Sequence, residues 1–161
     1  MTSAIPVSTV LMQIPERASG AHMAQQDLHK TVDKAFITAL LLTGSAKRAE
    51  AAILHANVAL NLDNTSGEAL LREAVSAAIE SPSETLEQPE VLERASFMLP
   101  FELRRVLRLP PALRHCFVLR FLVGLSREGC ARLLRLEIRQ VDERVRTAML
   151  ELPTIQTNRM C

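Results

Sequence analysis

The chain has 161 residues and a mass of 17.9 kDa, with 48% hydrophobic residues, 23% charged residues and a formal net charge of +1. This balance is typical of a globular protein with one domain or two small ones, and it excludes collagen-like, disordered and disulfide-scaffold proteins. Cys116, Cys130 and Cys161 are widely spaced and include no C-x-x-C pair. They predict neither a disulfide framework nor a zinc site, and they favour a reducing, cytoplasmic compartment.

We expect neither a membrane span nor a signal peptide. The longest apolar stretches, such as residues 35–42, are far shorter than the roughly 20 residues that a bilayer-spanning helix needs. Residues 1–14 have no Lys or Arg ahead of their apolar run, and Pro6 interrupts it. A signal peptide shows the opposite pattern.

The first half of the chain predicts an arm followed by a helical domain. Residues 1–26 contain two prolines and a glycine without helical periodicity, so we expect a flexible N-terminal arm. From Asp27 onwards, apolar residues recur every three to four positions, as on one face of a helix. The domain over residues 27–80 is therefore predicted to hold three helices: one ending at Gly44, one over about 46–60 and one over about 68–79.

The second half predicts a linker, a second helical domain and a tail. Turn-forming and acidic residues over 81–96 indicate the linker, which leads into a short helix over about 89–98. The second domain spans 97–152 and the tail spans 153–161. Within this domain we predict helices over about 101–107, from Pro111 to a stop at Gly124, from a Ser126 cap to about 134, and over about 138–152, with Phe121 and Ile138 facing inward.

No convincing period-2 strand occurs, so the predicted fold class is all-α with two small helical domains. The near-neutral total conceals a charge asymmetry between the two halves. Residues 1–96 carry a net charge of −5, whereas residues 97–161 hold twelve Arg, no Lys and six acidic residues, a net charge of +6. An all-Arg excess in one half favours a polyanionic partner, because guanidinium groups form bidentate contacts with phosphate.

Two short helices joined by a tight turn and preceded by a supporting helix have the proportions of a helix-turn-helix. The predicted last helix turns Arg and Gln side chains outward, and these can pair with base edges or neutralise phosphates. Arg139 and Gln140 are the candidates for base contacts, while Arg127, Arg144 and Arg146 are the candidates for phosphate contacts. The alternative from the same pattern is a three-helix interaction module whose Arg/Glu face is only solvated.

The run LPPALRHCFVLRFLVGLSREGCARLLRLEIRQVDERVRTAMLEL, residues 109–152, resembles the C-terminal helix-turn-helix domain of bacterial RNA polymerase sigma factors, closest to the extracytoplasmic-function type. The match rests on the Leu-Pro-Pro opening at residues 109–111, on Gly124-Leu125-Ser126, on Glu128 and Ala131, and on Val141 and Arg144. A weaker similarity over residues 36–57 involves the helices by which sigma factors hold the polymerase. The resemblance implies duplex promoter DNA, core RNA polymerase and an anti-sigma-like regulator as partners.

Departures from the family pattern bear on function. Residues 61–96 contain no aromatic residue, so we do not expect this segment to capture unstacked bases during strand opening. The usual turn glycine is Arg135, for which a left-handed conformation costs roughly 1 kcal/mol. The carboxylates of Asp142 and Glu143 would offset part of the attraction between the last helix and phosphates.

Enzyme activity is not expected, because the four His residues lack metal-ligand spacing and no glycine-rich phosphate loop occurs. We likewise expect no cofactor and no metal. Two functions follow from the sequence. One is a sigma-factor-like transcription protein that binds promoter DNA through its C-terminal helix-turn-helix and contacts core RNA polymerase. The other is a sigma-derived protein-interaction module that no longer reads DNA. In such a module the acidic half could even fold over the basic face and mask it.

Overall fold

In the computed structural model, residues 17–60, 66–80 and 89–154 are described, and these residues contain eight α-helices and no strand. The predicted all-α fold class is confirmed. No helix in these three ranges combines the length and the apolar character needed to cross a membrane. The helices are α1 (Arg17–Thr43), α2 (Ala46–Leu60), α3 (Gly67–Glu80), α4 (Pro89–Phe97), α5 (Arg104–Leu107), α6 (Pro111–Phe117), α7 (Arg127–Leu134) and α8 (Ile138–Thr154).

Helices α1, α2 and α3, which we call the N-terminal unit, pack against one another around an aliphatic core. Alanines and leucines dominate its buried positions, so the three helices approach closely. At one of these contacts, a Cβ added to Gly67 would lie only 2.6 Å from Cγ2 of Thr31 on α1. Because glycine lacks a Cβ, the start of α3 can pack this closely against α1. Gly44, at φ 66°, ends α1 as predicted.

We call helices α4 to α8 the C-terminal unit. Its first four helices are shorter than those of the N-terminal unit, and arginines brace the segments between them. Arg104 donates from Nε to the carbonyl of Leu99 at 3.1 Å, and Arg120 donates from Nη1 to the carbonyl of Leu125. Arg114 is fully buried and donates from Nη1 to the carbonyl of Leu107 at 2.9 Å. These bonds satisfy carbonyls at helix ends and in loops, where the helical ladder supplies no donor.

The two units share one apolar core rather than two separate ones. Helix α6 and the π-helical turn that extends it (Val118–Val123) both contact α1. At this junction Nε2 of His115 donates to the carbonyl of Leu42 at 2.8 Å, which ties α6 to the C-terminal end of α1. The basic half of the chain is thus anchored on the acidic half.

Most predicted helix bounds agree with the structure within one or two residues, and the differences have physical causes. Helix α1 begins at Arg17, ten residues before the amphipathic periodicity begins, so part of the predicted arm is helical; residues 1–16 lie outside the described ranges. Of the predicted linker, residues 89–96 belong to α4 and 81–88 are not described. Of the predicted tail, Pro153 and Thr154 continue α8, and 155–161 are not described.

Two apolar residues expected to face inward are exposed. Phe121 is 53% exposed because it lies in the π-helical turn, whose wider winding breaks the 3.6-residue period on which the prediction rested. Its ring instead lies beside that of Phe117, with centroids 4.9 Å apart. Ile138 is 43% exposed because it is the first residue of α8, at the turn between α7 and α8. The inward stripe of α8 therefore starts at Val141, which is fully buried.

Candidate nucleic-acid interface

Helices α7 and α8 form a helix-turn-helix. Both ends of its first helix, α7, have the structure that the sequence predicts. The hydroxyl of Ser126 accepts a hydrogen bond from the backbone N–H of Gly129 at 3.0 Å, which caps α7. At the other end, Arg135 takes the left-handed conformation, with φ 54° and ψ 46°. The N–H of Leu136 then donates to the carbonyl of Ala131 at 2.9 Å, as in the glycine-ended helix termini of other proteins.

Helix α8 has one buried face and one exposed face. Val141 and Ala148 are fully buried, and they fix the rotation of the helix about its axis. The opposite face exposes Arg139, Gln140 and Arg146. Three of the five predicted DNA-contacting side chains therefore lie on the exposed side of α8, and a fourth, Arg127, is exposed at the start of α7.

Arg127 and Asp142 form an ion pair that joins the start of α7 to the first turns of α8. The distance from Nη1 of Arg127 to Oδ2 of Asp142 is 3.3 Å, and both side chains are about half exposed. Such a pair contributes little to stability. It does neutralise one of the two carboxylates that oppose phosphate binding, and it occupies Arg127 while the protein is free.

Gln140 has a second task in addition to the predicted one. Its Oε1 accepts a hydrogen bond from the backbone N–H of Glu137 at 3.0 Å, in the manner of a capping box. The bond fixes the amide so that its oxygen caps the N-terminal end of α8. The amide NH2 group remains as the part that can donate to a base edge, because an amide carries both an acceptor and two donors.

Arg144 faces the interior more than the prediction assumed. The residue is half-buried, and its positive charge lies near the thiol of Cys116, which is fully buried on α6. Burial raises the pKa of the Cys116 thiol, and the nearby Arg144 charge only partly opposes that rise. In this arrangement Arg144 links α8 to the supporting helix α6.

Two further titratable groups of the motif have shifted pKa values. Burial raises the pKa of Cys130 to about 11, with Arg120 opposing the rise and Cys116 adding to it. The thiol of Cys130 is thus protonated at neutral pH. At the start of α7, the backbone N–H of Glu128 and the hydroxyl of Ser126 hold the pKa of the Glu128 carboxyl below its ordinary value.

Two apolar surfaces outside the helix-turn-helix were not predicted. Between α4 and α5, Phe97 and Phe101 are mostly exposed beside a cavity of about 430 Å³ lined in part by Arg105 and Arg108. On α2, Leu54 and Val58 are 65% and 80% exposed. In the sequence, both surfaces are marked only by apolar residues that lie outside the buried face of their helix. Such residues alone do not distinguish a partner-binding surface from ordinary exposed apolar area.

Of the residues that carry the weaker similarity over 36–57, the segment 40–43 is buried in the core of the N-terminal unit. It maintains the packing of α1 and does not itself present a surface. Comparisons of the chain with protein-family models, with curated proteins and with solved structures found no match. The resemblance to sigma factors stays a prediction from the residues quoted above.

Proposed function

We propose that the protein is a sigma-factor-like transcription protein that binds duplex promoter DNA by placing the first turns of α8 in the major groove. One observation carries the proposal. In the described chain, the basic face of α8 is exposed at Arg139, Gln140 and Arg146, although the N-terminal unit packs closely against the C-terminal unit. Helices α1 to α3 leave that face uncovered.

The roles follow from position on α8. Arg139 lies in the first turn, which reaches deepest into the groove, where a guanidinium can pair with both acceptors of a guanine. The amide NH2 of Gln140 lies beside it and can donate to a base acceptor. Arg146, two turns further on, is placed to neutralise a phosphate. Glu143 is exposed on the same helix and opposes binding, so we expect modest affinity with strong salt dependence.

The proposal includes a contact with core RNA polymerase. The exposed apolar residues Leu54 and Val58 lie one turn apart on α2, inside or just beyond the stretch that resembles the polymerase-holding helices of sigma factors. Adjacent exposed apolar side chains on a helix suit a protein partner. Pull-down of core polymerase by the full chain is expected, and Leu54→Glu is expected to reduce it.

The DNA-binding test is a salt series on duplex DNA with the full chain. The logarithm of affinity should fall linearly with the logarithm of salt concentration, and Arg146→Ala should reduce the slope by about one unit. Binding-site selection from randomised duplexes should yield a preferred sequence, and Arg139→Ala should relax it at one position. Arg94→Ala is the matched control, because Arg94 is an exposed arginine on α4, outside the helix-turn-helix. Absence of duplex binding at low salt would contradict the proposal.

Arg144→Ala separates the sequence prediction from the structure. A phosphate contact would make this variant lower the salt slope as Arg146→Ala does. If Arg144 stays turned towards Cys116, as in the free protein, the slope is unchanged and the cost is to stability.

The second candidate is a protein-interaction module without DNA binding. It is favoured by the exposed Phe97 and Phe101, which form a larger apolar patch than DNA binding requires. Retention of polymerase in the pull-down together with no duplex binding at low salt would establish this candidate over the first.

A further inference from the structure

A groove of about 490 Å³ lies between the N-terminal and C-terminal units, away from the exposed face of α8. One wall is formed by α3, and the other by the end of the π-helical turn, the following loop and α7. Its volume falls within the range of about 300–1,000 Å³ that is typical of small-molecule sites, and such sites often form where two units meet.

The floor of the groove is apolar and comes from both units. On α3, Leu71 and Val75 are 8% and 3% exposed, and on α7 Leu133 faces them half-buried. Because both walls contribute, the floor is fixed by the packing of the shared core and not by one flexible side chain. It offers a preformed apolar surface to the hydrocarbon part of a ligand.

The rim is positively charged across its width. Arg72 stands on the α3 side and Arg132 on the α7 side. Nη2 of Arg72 is 3.3 Å from Oε1 of Glu68 in an exposed pair that water screens strongly. No acidic residue in the described ranges lies within ion-pair distance of Arg132, so the two guanidinium groups face a single carboxylate. Ser76 adds a hydroxyl to the same lining.

We propose that this groove binds a small amphipathic anion, with a carboxylate or phosphate head between Arg72 and Arg132 and an apolar body on Leu71, Val75 and Leu133. Guanidinium groups form charge-assisted, bidentate hydrogen bonds with such heads. A straight alkyl chain of moderate length suits the floor, because the groove has the volume of a small-molecule site. The proposal concerns a different surface from the DNA-binding face and does not depend on it.

The test uses octanoate as the probe, with octylamine as a cation of the same chain length, added to the full chain with methyl groups labelled for NMR. Octanoate should shift the methyl signals of Leu71, Val75 and Leu133 in a saturable way, whereas octylamine should not. Octyl phosphate, as a second arm, distinguishes a preference for phosphate from one for carboxylate. Equal shifts with octanoate and octylamine would overturn the proposal, since they would reveal only generic apolar binding.

Two variants locate the site. Arg132→Gln should weaken octanoate binding about tenfold or more, as expected for loss of a charge-assisted hydrogen bond. Ser76→Trp should abolish binding by filling the groove. Arg105→Gln, which changes an arginine beside the Phe97 cavity, is the matched control and should leave the affinity unchanged. Unchanged methyl signals elsewhere in each variant show that the fold is intact. Undiminished binding by Arg132→Gln, or octanoate-induced shifts confined to the Phe97 region, would refute the assignment.

Discussion

The two units of this protein are held together in different ways. The N-terminal unit consists of helices of 27, 15 and 14 residues, and the buried polar residues on α1, Thr38 and Thr43, donate their hydroxyls to carbonyls of that same helix. The C-terminal unit has helices as short as four and seven residues, and it buries a complete arginine. Its stability depends on bonds between neighbouring segments.

This difference follows from helix length. Every α-helix leaves up to four carbonyls without a helical partner at its end, so short helices leave a larger share of their backbone unsatisfied. In the C-terminal unit, Arg104, Arg114 and Arg120 reach carbonyls of neighbouring segments. The N-terminal unit has fewer ends to satisfy, and Arg48 does this at the end of α1, donating to the carbonyl of Thr43 at 3.3 Å. In the basic half, part of the arginine content is therefore structural.

The largest predicted effect removes one of these braces. Arg114→Met keeps much of the side-chain volume but leaves the buried carbonyl of Leu107 without its 2.9 Å donor. An orphaned buried acceptor of this kind is expensive, so we expect the free energy of unfolding to fall by roughly 2–3 kcal/mol. Urea denaturation followed by circular dichroism measures it.

Thr38→Val is the matched substitution in the N-terminal unit. The hydroxyl of Thr38 donates to the carbonyl of Lys34, one turn earlier on the same helix, so its removal orphans no backbone group. The expected loss is within about 1 kcal/mol. Equal losses of unfolding free energy from Arg114→Met and Thr38→Val would contradict the idea that arginine-to-carbonyl bonds stabilise the C-terminal unit in a way the N-terminal unit does not need.

An intermediate effect comes from ionisation of a buried thiol at alkaline pH, and it belongs to the C-terminal unit because residues 17–80 contain no cysteine. The pKa of Cys130 is raised from an ordinary 9.0 to about 11 in the folded chain. A group with a raised folded-state pKa contributes stability that is complete below its unfolded pKa and lost as pH rises through its folded pKa. We therefore expect the unfolding free energy to fall by on the order of 1–2 kcal/mol between pH 9 and 11.

The measurement is denaturant unfolding at several pH values in a Cys161→Ser background, with Cys130→Ala as the comparison. Lysine titration is common to both proteins, so the difference between their pH profiles isolates the buried thiol. Identical profiles for the two proteins would contradict the prediction.

The smallest predicted effect concerns the turn of the helix-turn-helix. Arg135→Gly relieves the left-handed strain of a residue with a Cβ, so we expect a gain of roughly 0.5–1 kcal/mol in unfolding free energy. Arg132→Gly, the same change three residues earlier inside α7, should instead cost about 1 kcal/mol, because glycine weakens a helix interior. Thermal unfolding of the two variants should therefore move in opposite directions, and a shift in the same direction would refute the assignment of strain to Arg135.

Much of the fold could be predicted from the sequence because its signals are local. The Gly44 stop, the Ser126 cap and the strained Arg135 each depend on a few neighbouring residues, and all three are where they were expected. The exposure of Phe121 could not be predicted, since a π-helical turn changes the spacing of residues along one helix face and has no signature in the sequence. The burial of Arg114 depends on the turn over residues 107–109, which only the tertiary structure positions.

For the candidate site, the sequence predicts which residues lie on α8 but not how each side chain is engaged. Arg144 follows Val141 by three residues and precedes Ala148 by four, a spacing that puts it at the edge of the buried stripe and within reach of Cys116. The capping role of Gln140 at the start of α8 could be predicted from its position three residues after Glu137. The groove between α3 and α7 has no counterpart in the sequence, because its two walls are more than forty residues apart.

The shared core of the two units has a practical consequence for dissecting this protein. A fragment starting after α3 would lose the surface against which α6 and the π-helical turn pack, and it would lose the acceptor of the His115 hydrogen bond. Aliphatic surface exposed in this way favours self-association. Weak DNA binding by such a fragment would therefore reflect the truncation and not a property of the helix-turn-helix. Point substitutions in the intact polypeptide are therefore the sound way to assign roles to its basic half.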